Sequence, residues 1–277
     1  KRTRSVALIT AGYGWKGFRV LWKGKDRMRI LGIESSSLVA SAALVTDEVL
    51  TAEYTVDFKK THSQTLLPMI EEIVRMLGID LASIDGIAVA GGPGSFTGLR
   101  IGAATAKGLG LALEKPLIHV PTVEAMAYNL WGAQALVCPM MDARRRQVYT
   151  GLYRMKPQME TVLGQTAMDA GELADLLNER KERVIFLGDG VPVYRALLEQ
   201  QLEIPYDFAP AHMNRQRASS VAVLGLLAME GGGRFGGSFV VSSDDFEPDY
   251  LRKPQAQRER EARLSPEGAA ARLPGDR

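Results

Sequence analysis

Glycine and hydroxyl residues are concentrated in one stretch of the sequence where phosphate binding is chemically feasible. An apolar run at 84–90 leads into Gly91-Gly92-Pro93-Gly94-Ser95-Phe96-Thr97, and a run of small residues follows. A strand, a glycine loop and a helix N-terminus can together direct backbone N–H groups at an anion, and Ser95 or Thr97 could cap the helix. The stretch lacks the lysine of a P-loop and the third glycine of a dinucleotide motif. Two interpretations stay open: anion binding at Gly94 and Ser95, or a loop that only shapes a helix start.

Acidic and hydroxyl residues at two other strand ends could contribute to the same chemistry. Glu34, Ser35 and Ser36 follow an apolar strand and precede a second one, so they form the tip of a predicted hairpin. Such residues can bind phosphate or a metal-bound water, but they are also ordinary turn residues. Asp189 lies between two glycines after a predicted strand, which is a weak signal for a nucleotide pocket. The candidate phosphate or nucleotide residues are therefore Glu34, Ser35, Ser36, Gly94, Ser95 and Asp189.

Three consecutive arginines, Arg144, Arg145 and Arg146, are the candidates for contact with RNA. Guanidinium groups could bind RNA phosphates or an acidic partner. A solvated turn between two strands is the default interpretation of the same residues. The net charge of +2 is too small to indicate nucleic-acid binding by itself.

Histidine and cysteine are too sparse to indicate a metal or a nucleophile. The three histidines are His62, His119 and His212, and no two of them have the spacing of metal ligands. His62 stands alone at a predicted helix start, where a structural role is favoured. The single cysteine, Cys138, lies in an apolar strand-like run and is expected to be a buried small hydrophobe. We therefore expect no tightly held catalytic metal.

The helix after the glycine loop has small residues at four-residue spacing: Gly98, Gly102, Ala106 and Gly110. Residues at this spacing share one face, so the face is flat. Each interior glycine costs about 1 kcal/mol relative to alanine, and a close approach by another backbone would compensate that cost. The approaching backbone could belong to an internal helix crossing or to another subunit.

The composition is that of a globular protein without a membrane span. The chain has 277 residues, of which 46% are hydrophobic, and contains no apolar run of about 18 residues. One cysteine excludes a disulfide framework within the chain and suits a reducing cytoplasm. The basic stretch 1–27 is an extension of uncertain status, and the charged tail 253–277 is expected to be disordered.

The hydrophobic pattern predicts alternating strands and helices. Three strands come first, and Thr61 with Gln64 has the capping-box spacing that starts a helix, which Pro68 would kink. The predicted elements that follow are strands at 84–90, 116–120, 135–141, 148–153 and 184–187, and helices at 121–130, 172–178, 193–202 and 219–229. The last helix is expected to return to the first domain, and 246–252 to form an anchored extended segment.

Several of these segments together resemble the bacterial TsaB (YeaZ) family. The resemblance covers about residues 28–252 and rests on Ile30-Leu31-Gly32-Ile33-Glu34-Ser35-Ser36, His62-Ser63-Gln64, Gly92-Pro93-Gly94-Ser95-Phe96-Thr97-Gly98-Leu99-Arg100, Asp142-Ala143-Arg144 and Pro248-x-Tyr250-Leu251-Arg252. It implies an α/β, actin-like and sugar-kinase-like fold of two related lobes with mixed sheets flanked by helices. The N-terminal lobe would comprise 28–132 and 218–252, and the C-terminal lobe 133–217.

The resemblance also implies a function. Proteins of this family act in forming the threonylcarbamoyl group on N6 of the adenosine next to the anticodon, in tRNAs that read codons starting with A. The chain would be the cytoplasmic, non-catalytic partner of the paralogue TsaD, with the ATPase TsaE, and would contact tRNA through the complex. TsaC or a relative makes the donor. ATP would bind only within the assembled complex.

The resemblance further implies an interface made by two helices, with TsaD or with a second copy of the chain in isolation. The residues expected there are His62, Leu66, Met69, Ile73, Gly98, Gly102, Ala106 and Gly110. TsaD binds a metal through a His-x-x-x-His motif, and Thr122 and Met126 occupy the corresponding positions here. Two rival functions remain, an ATP-dependent sugar kinase or ATPase and a direct RNA-binding module.

Overall fold

The computed structural model describes residues 27–58, 61–156, 158–231 and 239–251. The strands are β1 (Arg29–Glu34), β2 (Val39–Thr46), β3 (Val49–Asp57), β4 (Gly86–Gly92), β5 (Leu117–Pro121), β6 (Leu136–Asp142), β7 (Gln147–Arg154), β8 (Glu160–Asp169), β9 (Val184–Leu187), β10 (Tyr206–Phe208) and β11 (Val240–Val241). The helices are α1 (His62–Leu77), α2 (Phe96–Leu113), α3 (Thr122–Tyr128), α4 (Ala170–Arg180), α5 (Val191–Gln201) and α6 (Ala218–Met229).

The strands form two sheets that repeat one topology. The first has the order β11-β5-β4-β1-β2-β3 and the second the order β10-β9-β6-β7-β8. In each, three antiparallel strands are followed by strands that join the sheet in parallel beside the first one. The order 5-4-1-2-3 thus recurs as 10-9-6-7-8. This confirms the predicted α/β fold of two related lobes with mixed sheets, which is the actin-like and sugar-kinase-like arrangement.

The central strands of the first sheet are apolar along their whole length because both faces are covered. All seven residues of β4 and all eight of β2 are buried. Helices α1 and α2 pack on one face, and α6 packs on the other. Strands that are buried on both faces have continuous rather than alternating hydrophobic sequences, as the run Ile87-Ala88-Val89-Ala90 shows.

Helix α6 returns from the second lobe to the first, as predicted. It is apolar on all sides, which is typical of a buried helix, and it contacts β1, β2, β4 and β5. Its first N–H groups are satisfied by another element: Ala218 donates to Ser41 Oγ (3.1 Å) and Ser219 to Glu53 Oε1 (3.1 Å). Helix α3 contacts strands of both sheets, so α3 and α6 join the lobes.

Most predicted helices and strands are confirmed, but three strands of the structure are not predicted from the sequence. The strand β8 has a polar sequence on the edge of its sheet, and β10 and β11 have only three and two residues. Helix α1 begins after Thr61 as predicted and continues through Pro68, but no side-chain capping bond forms. Thr61 Oγ1 instead donates to Gln64 Oε1 (2.7 Å). The capping-box spacing therefore predicts the correct first residue of the helix, but the capping hydrogen bonds that it implies do not form.

Some expectations concern residues outside the described ranges. These include nearly all of the extension 1–27 and the whole tail 253–277. Among the helices that the structure describes, none is long and apolar enough to cross a lipid bilayer.

Candidate functional site

A cleft of about 520 Å³ lies between the two lobes. The first lobe contributes the hairpin after β1 and the loop that leads into α2, and the second contributes the ends of β6 and β9. The residues that line the cleft include Ser36, Ser37, Leu38, Gly94, Ser95, Phe96, Thr97, Asp142, Ala143, Arg144, Tyr149, Asp189, Val193, Asp249, Tyr250 and Leu251. The structure thus brings most of the predicted phosphate residues to one place.

Glu34 ends β1 beneath this cleft, where only 1% of its surface is exposed. Its Oε1 accepts bonds from the Ser36 N–H (2.6 Å) and the Ser36 hydroxyl (2.5 Å). Burial raises the pKa of Glu34 to about 7, although the hydrogen bonds from Ser36 oppose the shift. The carboxyl group therefore exists in both protonation states near neutral pH.

Asp189 reaches the cleft from the second lobe, directly after β9. Its Oδ1 accepts a bond from Gln216 Nε2 (3.0 Å). Burial raises the pKa of Asp189, opposed by the Gln216 bond and by the charge of Arg215. Asp189 also contributes to raising the pKa of Glu34, so carboxyl groups from the two lobes interact at the base of the cleft.

The glycine loop is held by contacts within the chain. The Ser95 N–H donates to the Ser36 carbonyl (2.7 Å) and the Gly92 N–H to Thr122 Oγ1 (3.0 Å). Ser95, not Thr97, caps α2, because its hydroxyl accepts a bond from the Gly98 N–H (3.3 Å). A Cβ at Gly94 would overlap the Ser36 carbonyl oxygen. Close packing on the β1–β2 hairpin therefore explains the glycine, without a bound anion.

The segment after β11 lies against the glycine loop. It corresponds to the anchored extended segment that the sequence predicts. Phe246 is buried, and the Asp249 N–H donates to the Gly91 carbonyl (2.6 Å). The ring of Tyr250 lies 5.0 Å from that of Phe96. These contacts hold the segment at the cleft, which Asp249, Tyr250 and Leu251 line.

The three arginines form the turn between β6 and β7 at the edge of the cleft. All three have left-handed backbone conformations, with φ of 65°, 55° and 62°, and all three are exposed. Arg144 Nε lies 3.8 Å from Asp142 Oδ2, and Arg146 Nε lies 3.7 Å from Asp169 Oδ2. The default interpretation, a solvated turn between strands, describes this geometry, and contact with RNA stays a prediction.

His62 has the structural position that the sequence favoured. Its Nε2 lies 2.7 Å from the Ser37 carbonyl oxygen, and the side chain is buried. This bond ties the first turn of α1 to the hairpin that carries Glu34 and Ser36.

The residues expected at a subunit interface are buried within the chain, and their part in an interface stays a prediction. Leu66, Met69 and Ile73 belong to the core between α1, α2 and the first sheet, and His62 is buried as well. Gly98, Gly102, Ala106 and Gly110 face the sheet, and a Cβ at Gly98 would overlap the Ser35 carbonyl oxygen. The flat face therefore serves an internal close approach, one of the two alternatives that the sequence left open.

A second stripe of small residues on α2, which the sequence analysis does not single out, faces outward. Ala104, Gly108 and Ala112 also recur every four residues, and all three are exposed. A Cβ at Gly108 would meet no atom of the described residues within 4 Å. On the same helix Leu111 is 69% exposed, and on α1, which packs against α2, Leu67 is 51% exposed. We call Leu67, Ala104, Gly108, Leu111 and Ala112 the outer face.

The described residues contain no group of three or more His, Cys, Asp or Glu side chains that could hold a metal ion. Thr122 and Met126 are both buried, and the Thr122 hydroxyl accepts the Gly92 N–H. Cys138 is also buried, and burial raises the pKa of its thiol to about 12. The thiol therefore stays protonated at neutral pH and is a poor nucleophile.

Similar proteins are known for both the sequence and the fold. The family model described as TsaD, tRNA N6-adenosine threonylcarbamoyltransferase, matches residues 56–260. The tRNA threonylcarbamoyladenosine biosynthesis protein TsaB of Bacillus subtilis is 33% identical over 199 residues, which are 72% of this chain and 87% of the relative. The tRNA N6-adenosine threonylcarbamoyltransferase of Symbiobacterium thermophilum is 32% identical over 221 residues, 68% of this chain and 63% of that protein.

A solved structure agrees with this relationship. The crystal structure of a protein from Pseudomonas aeruginosa, described as similar to peptidase YeaZ, superposes with a TM-score of 0.66 at 25% identity. The match covers 82% of this chain and all of the other. By sequence and by fold the chain belongs to the TsaB (YeaZ) family, and the match to the TsaD model fits a paralogous relationship.

Proposed function

We propose that the chain is a non-catalytic subunit in the formation of threonylcarbamoyladenosine in tRNA, and that it binds and activates TsaD together with TsaE. The relatives named TsaB support the biosynthetic role. In this proposal the chain works in the cytoplasm, meets tRNA only through the complex and forms a homodimer when TsaD is absent.

The outer face is the observation that carries the proposal. Its centre, Gly108, has open space around it, and Leu67 and Leu111 expose more than half of their surface. A glycine inside a helix costs about 1 kcal/mol, and at Gly108 no contact with the described residues compensates that cost. A flat surface on α2, with exposed leucines on α1 and α2, suits close packing of a helix from another subunit.

The buried residues expected at the interface then have an indirect role. Leu66, Met69, Ile73 and Ala106 hold α1 and α2 against the first sheet, and His62 fixes the start of α1. They would support the outer face from beneath without touching the partner.

The site also supports a non-catalytic role for this subunit. The positions that correspond to the metal-binding histidines of TsaD carry Thr122 and Met126, and the Thr122 hydroxyl binds the glycine loop. The loop N–H groups of Gly92 and Ser95 are occupied within the chain. We therefore propose that the chain has no cofactor of its own and that ATP binds only within the assembled complex.

Reconstitution of the reaction tests this function directly. Purified TsaD, TsaE, the TsaC product threonylcarbamoyl-adenylate and unmodified tRNA are incubated with and without this chain, and the modified nucleoside is measured by mass spectrometry. We expect modification only when the chain is present. Equal modification without it, or modification by this chain in the absence of TsaD, would contradict the proposal.

The rival functions predict different results for the isolated chain. A sugar kinase or ATPase would hydrolyse ATP or phosphorylate a sugar without partners, whereas we expect no appreciable turnover. An RNA-binding module that uses Arg144, Arg145 and Arg146 would bind tRNA with a strong dependence on salt, whereas we expect only weak binding without TsaD.

A further inference from the structure

Helix α2 and its C-cap carry two opposite charges, one at each end of the outer face. Arg100 lies near the start of the helix, Glu114 is its C-cap residue, and both are exposed. Neither side chain forms a salt bridge with any of the residues that the structure describes. Lys107, the other charged residue of α2, is half-buried and donates through Nζ to the Asp244 carbonyl (3.2 Å). The exposed side of α2 therefore presents one cation and one carboxylate that could pair with another chain.

Both charges lie at the end of α2 where the helix dipole disfavours them. The guanidinium of Arg100 lies 4.0 Å from the centroid of the Phe96 ring, and Phe96 is the first residue of the helix. That ring is itself 5.0 Å from the ring of Tyr250, so the cation is held in the first turn, at the positive end of the dipole. The carboxylate of Glu114 follows the last turn, at the negative end. An opposite charge from outside α2 at each end would offset both costs.

The helical geometry allows a second copy of the chain to supply both opposite charges. The 18 residues of α2 make about five full turns, so Phe96, beneath the guanidinium, and Glu114 project from the same side of the helix. If two α2 helices pack antiparallel with Ala104 against Gly108 of the second copy, the level of Glu114 in that copy is about 3 Å from the level of Arg100. Two-fold symmetry repeats the contact at the other end. A parallel arrangement would instead place like charges together.

We propose that two copies of the chain associate through antiparallel α2 helices, with Arg100 of each copy paired with Glu114 of the other. Ala104 and Gly108 let the two backbones approach closely, and the contact covers Leu111, which is otherwise 69% exposed. The two ion pairs fix the register and the orientation, because charge complementarity excludes other alignments. This inference rests on the proposed role of the outer face as a subunit surface, and it specifies the contacts of the homodimer.

Charge reversal at either position tests the pairing. Two copies of Arg100→Glu, or two copies of Glu114→Arg, place like charges together at both ends of the contact. We expect the dissociation constant of the homodimer to rise about thirtyfold or more, because two attractive contacts become repulsive. Sedimentation velocity over a range of protein concentrations measures this constant. A natural chain that stays monomeric, or variants that dimerise as tightly as the natural chain, would overturn the proposal.

A mixture of the two variants separates specific pairing from a loss of folding. In the mixed dimer each end again joins one cation and one carboxylate, and unfolded variants could not restore each other. We expect fluorescently labelled Arg100→Glu to bind Glu114→Arg with a dissociation constant within about threefold of that of the natural homodimer. Two folded variants that do not associate with each other would overturn the antiparallel arrangement.

Salt keeps the test decisive if a variant proves unstable. Raising NaCl from about 0.05 M to about 0.5 M should weaken the natural homodimer about tenfold, because salt screens exposed ion pairs, and an unchanged affinity would overturn the proposal.

Arg195→Glu is the matched control, because Arg195 is also an exposed arginine stacked on an aromatic ring, that of Phe208 at 4.4 Å, but lies on α5 in the other lobe. It should dimerise like the natural chain, and an equal loss of dimer in this variant would overturn the specific pairing. TsaD takes no part in these measurements, so a homodimer that is insensitive to charge reversal would leave the proposed binding of TsaD unaffected.

Discussion

At the scale of single residues, the most informative group is the carboxyl of Glu34. The sequence identifies an acid followed by hydroxyls at a strand end, and it predicts the hairpin correctly. It cannot show that α6, α2 and the second lobe surround the carboxyl, because burial arises from segments far away in the chain. The same limit applies to Asp189, whose partner Gln216 is 27 residues away.

Replacing Glu34 by Gln should alter how stability depends on pH. The pKa of Glu34 is raised from 4.5 to about 7 in the folded chain, so folding favours the protonated form. This contribution is complete below pH 4.5 and is lost as the pH rises through 7, a change of roughly 3 kcal/mol from this group. Glu34→Gln should therefore gain stability relative to the natural chain between pH 5 and 8. Urea unfolding at several pH values measures this.

The exposed residue Glu48 provides the control for that experiment. Because Glu48 is exposed on the turn between β2 and β3, Glu48→Gln should be about as stable as the natural chain. If Glu34→Gln also followed it, the carboxyl would have an ordinary pKa in the folded protein, contrary to the burial described above.

At the scale of secondary-structure elements, α2 shows what the spacing of small residues predicts about a helix and what it does not predict. Two small-residue stripes have the same four-residue spacing, one with Gly98 and Gly102 and one with Ala104 and Gly108. Spacing defines faces of a helix but not their orientation, which is set by packing against β1 and β4. The glycines of the first stripe permit a close approach, and the structure shows that this approach is internal, by Ser35.

Two glycine-to-alanine substitutions should separate the faces of α2. In Gly108→Ala the new methyl group enters open space, so the free energy of unfolding should rise by about 1 kcal/mol through helix propensity. In Gly98→Ala the methyl group meets the Ser35 carbonyl oxygen, and stability should fall by roughly 1–3 kcal/mol. Urea unfolding of both variants measures the difference. Equal stability of the two variants would show that the faces are wrongly assigned.

At the scale of the whole molecule, the repeated strand order explains where the cleft lies. The equivalent strands β1 and β6 end at Glu34 and Asp142, and the residues that follow both ends line the cleft. The order of strands and helices along the chain could be predicted from hydrophobic periodicity. The division into two lobes was predicted only from the resemblance to the TsaB (YeaZ) family. The polar strand β8 was missed because cross-strand pairing with β7, not hydrophobicity, defines it.

Glu53 on β3 binds the start of α6, the helix that returns from the second lobe to the first. Its carboxylate accepts bonds from the Arg217 guanidinium and from the backbone and hydroxyl of Ser219 at the start of α6. Glu53→Ala should lower the free energy of unfolding by roughly 3 kcal/mol, since it removes both an ion pair and a helix cap. Thermal and urea unfolding provide the measurement.

Asp57 is the matched control on the same strand. It pairs with Arg215 at a more exposed position, with 43% of its side chain accessible, so Asp57→Ala should cost less than about 1 kcal/mol. A similar cost for both variants would mean that Glu53 has no special part in holding α6.

The central claim is that the outer face binds TsaD, and the affinity of the Gly108→Glu variant tests it most directly. The association of this chain with TsaD of the same organism is measured by isothermal titration calorimetry. We expect Gly108→Glu to weaken binding about a hundredfold or more, because a charge is buried at the centre of the contact, while the variant stays folded. Ala196→Glu, at an exposed position of α5 in the other lobe, should bind like the natural chain. Undiminished binding of Gly108→Glu would contradict the account.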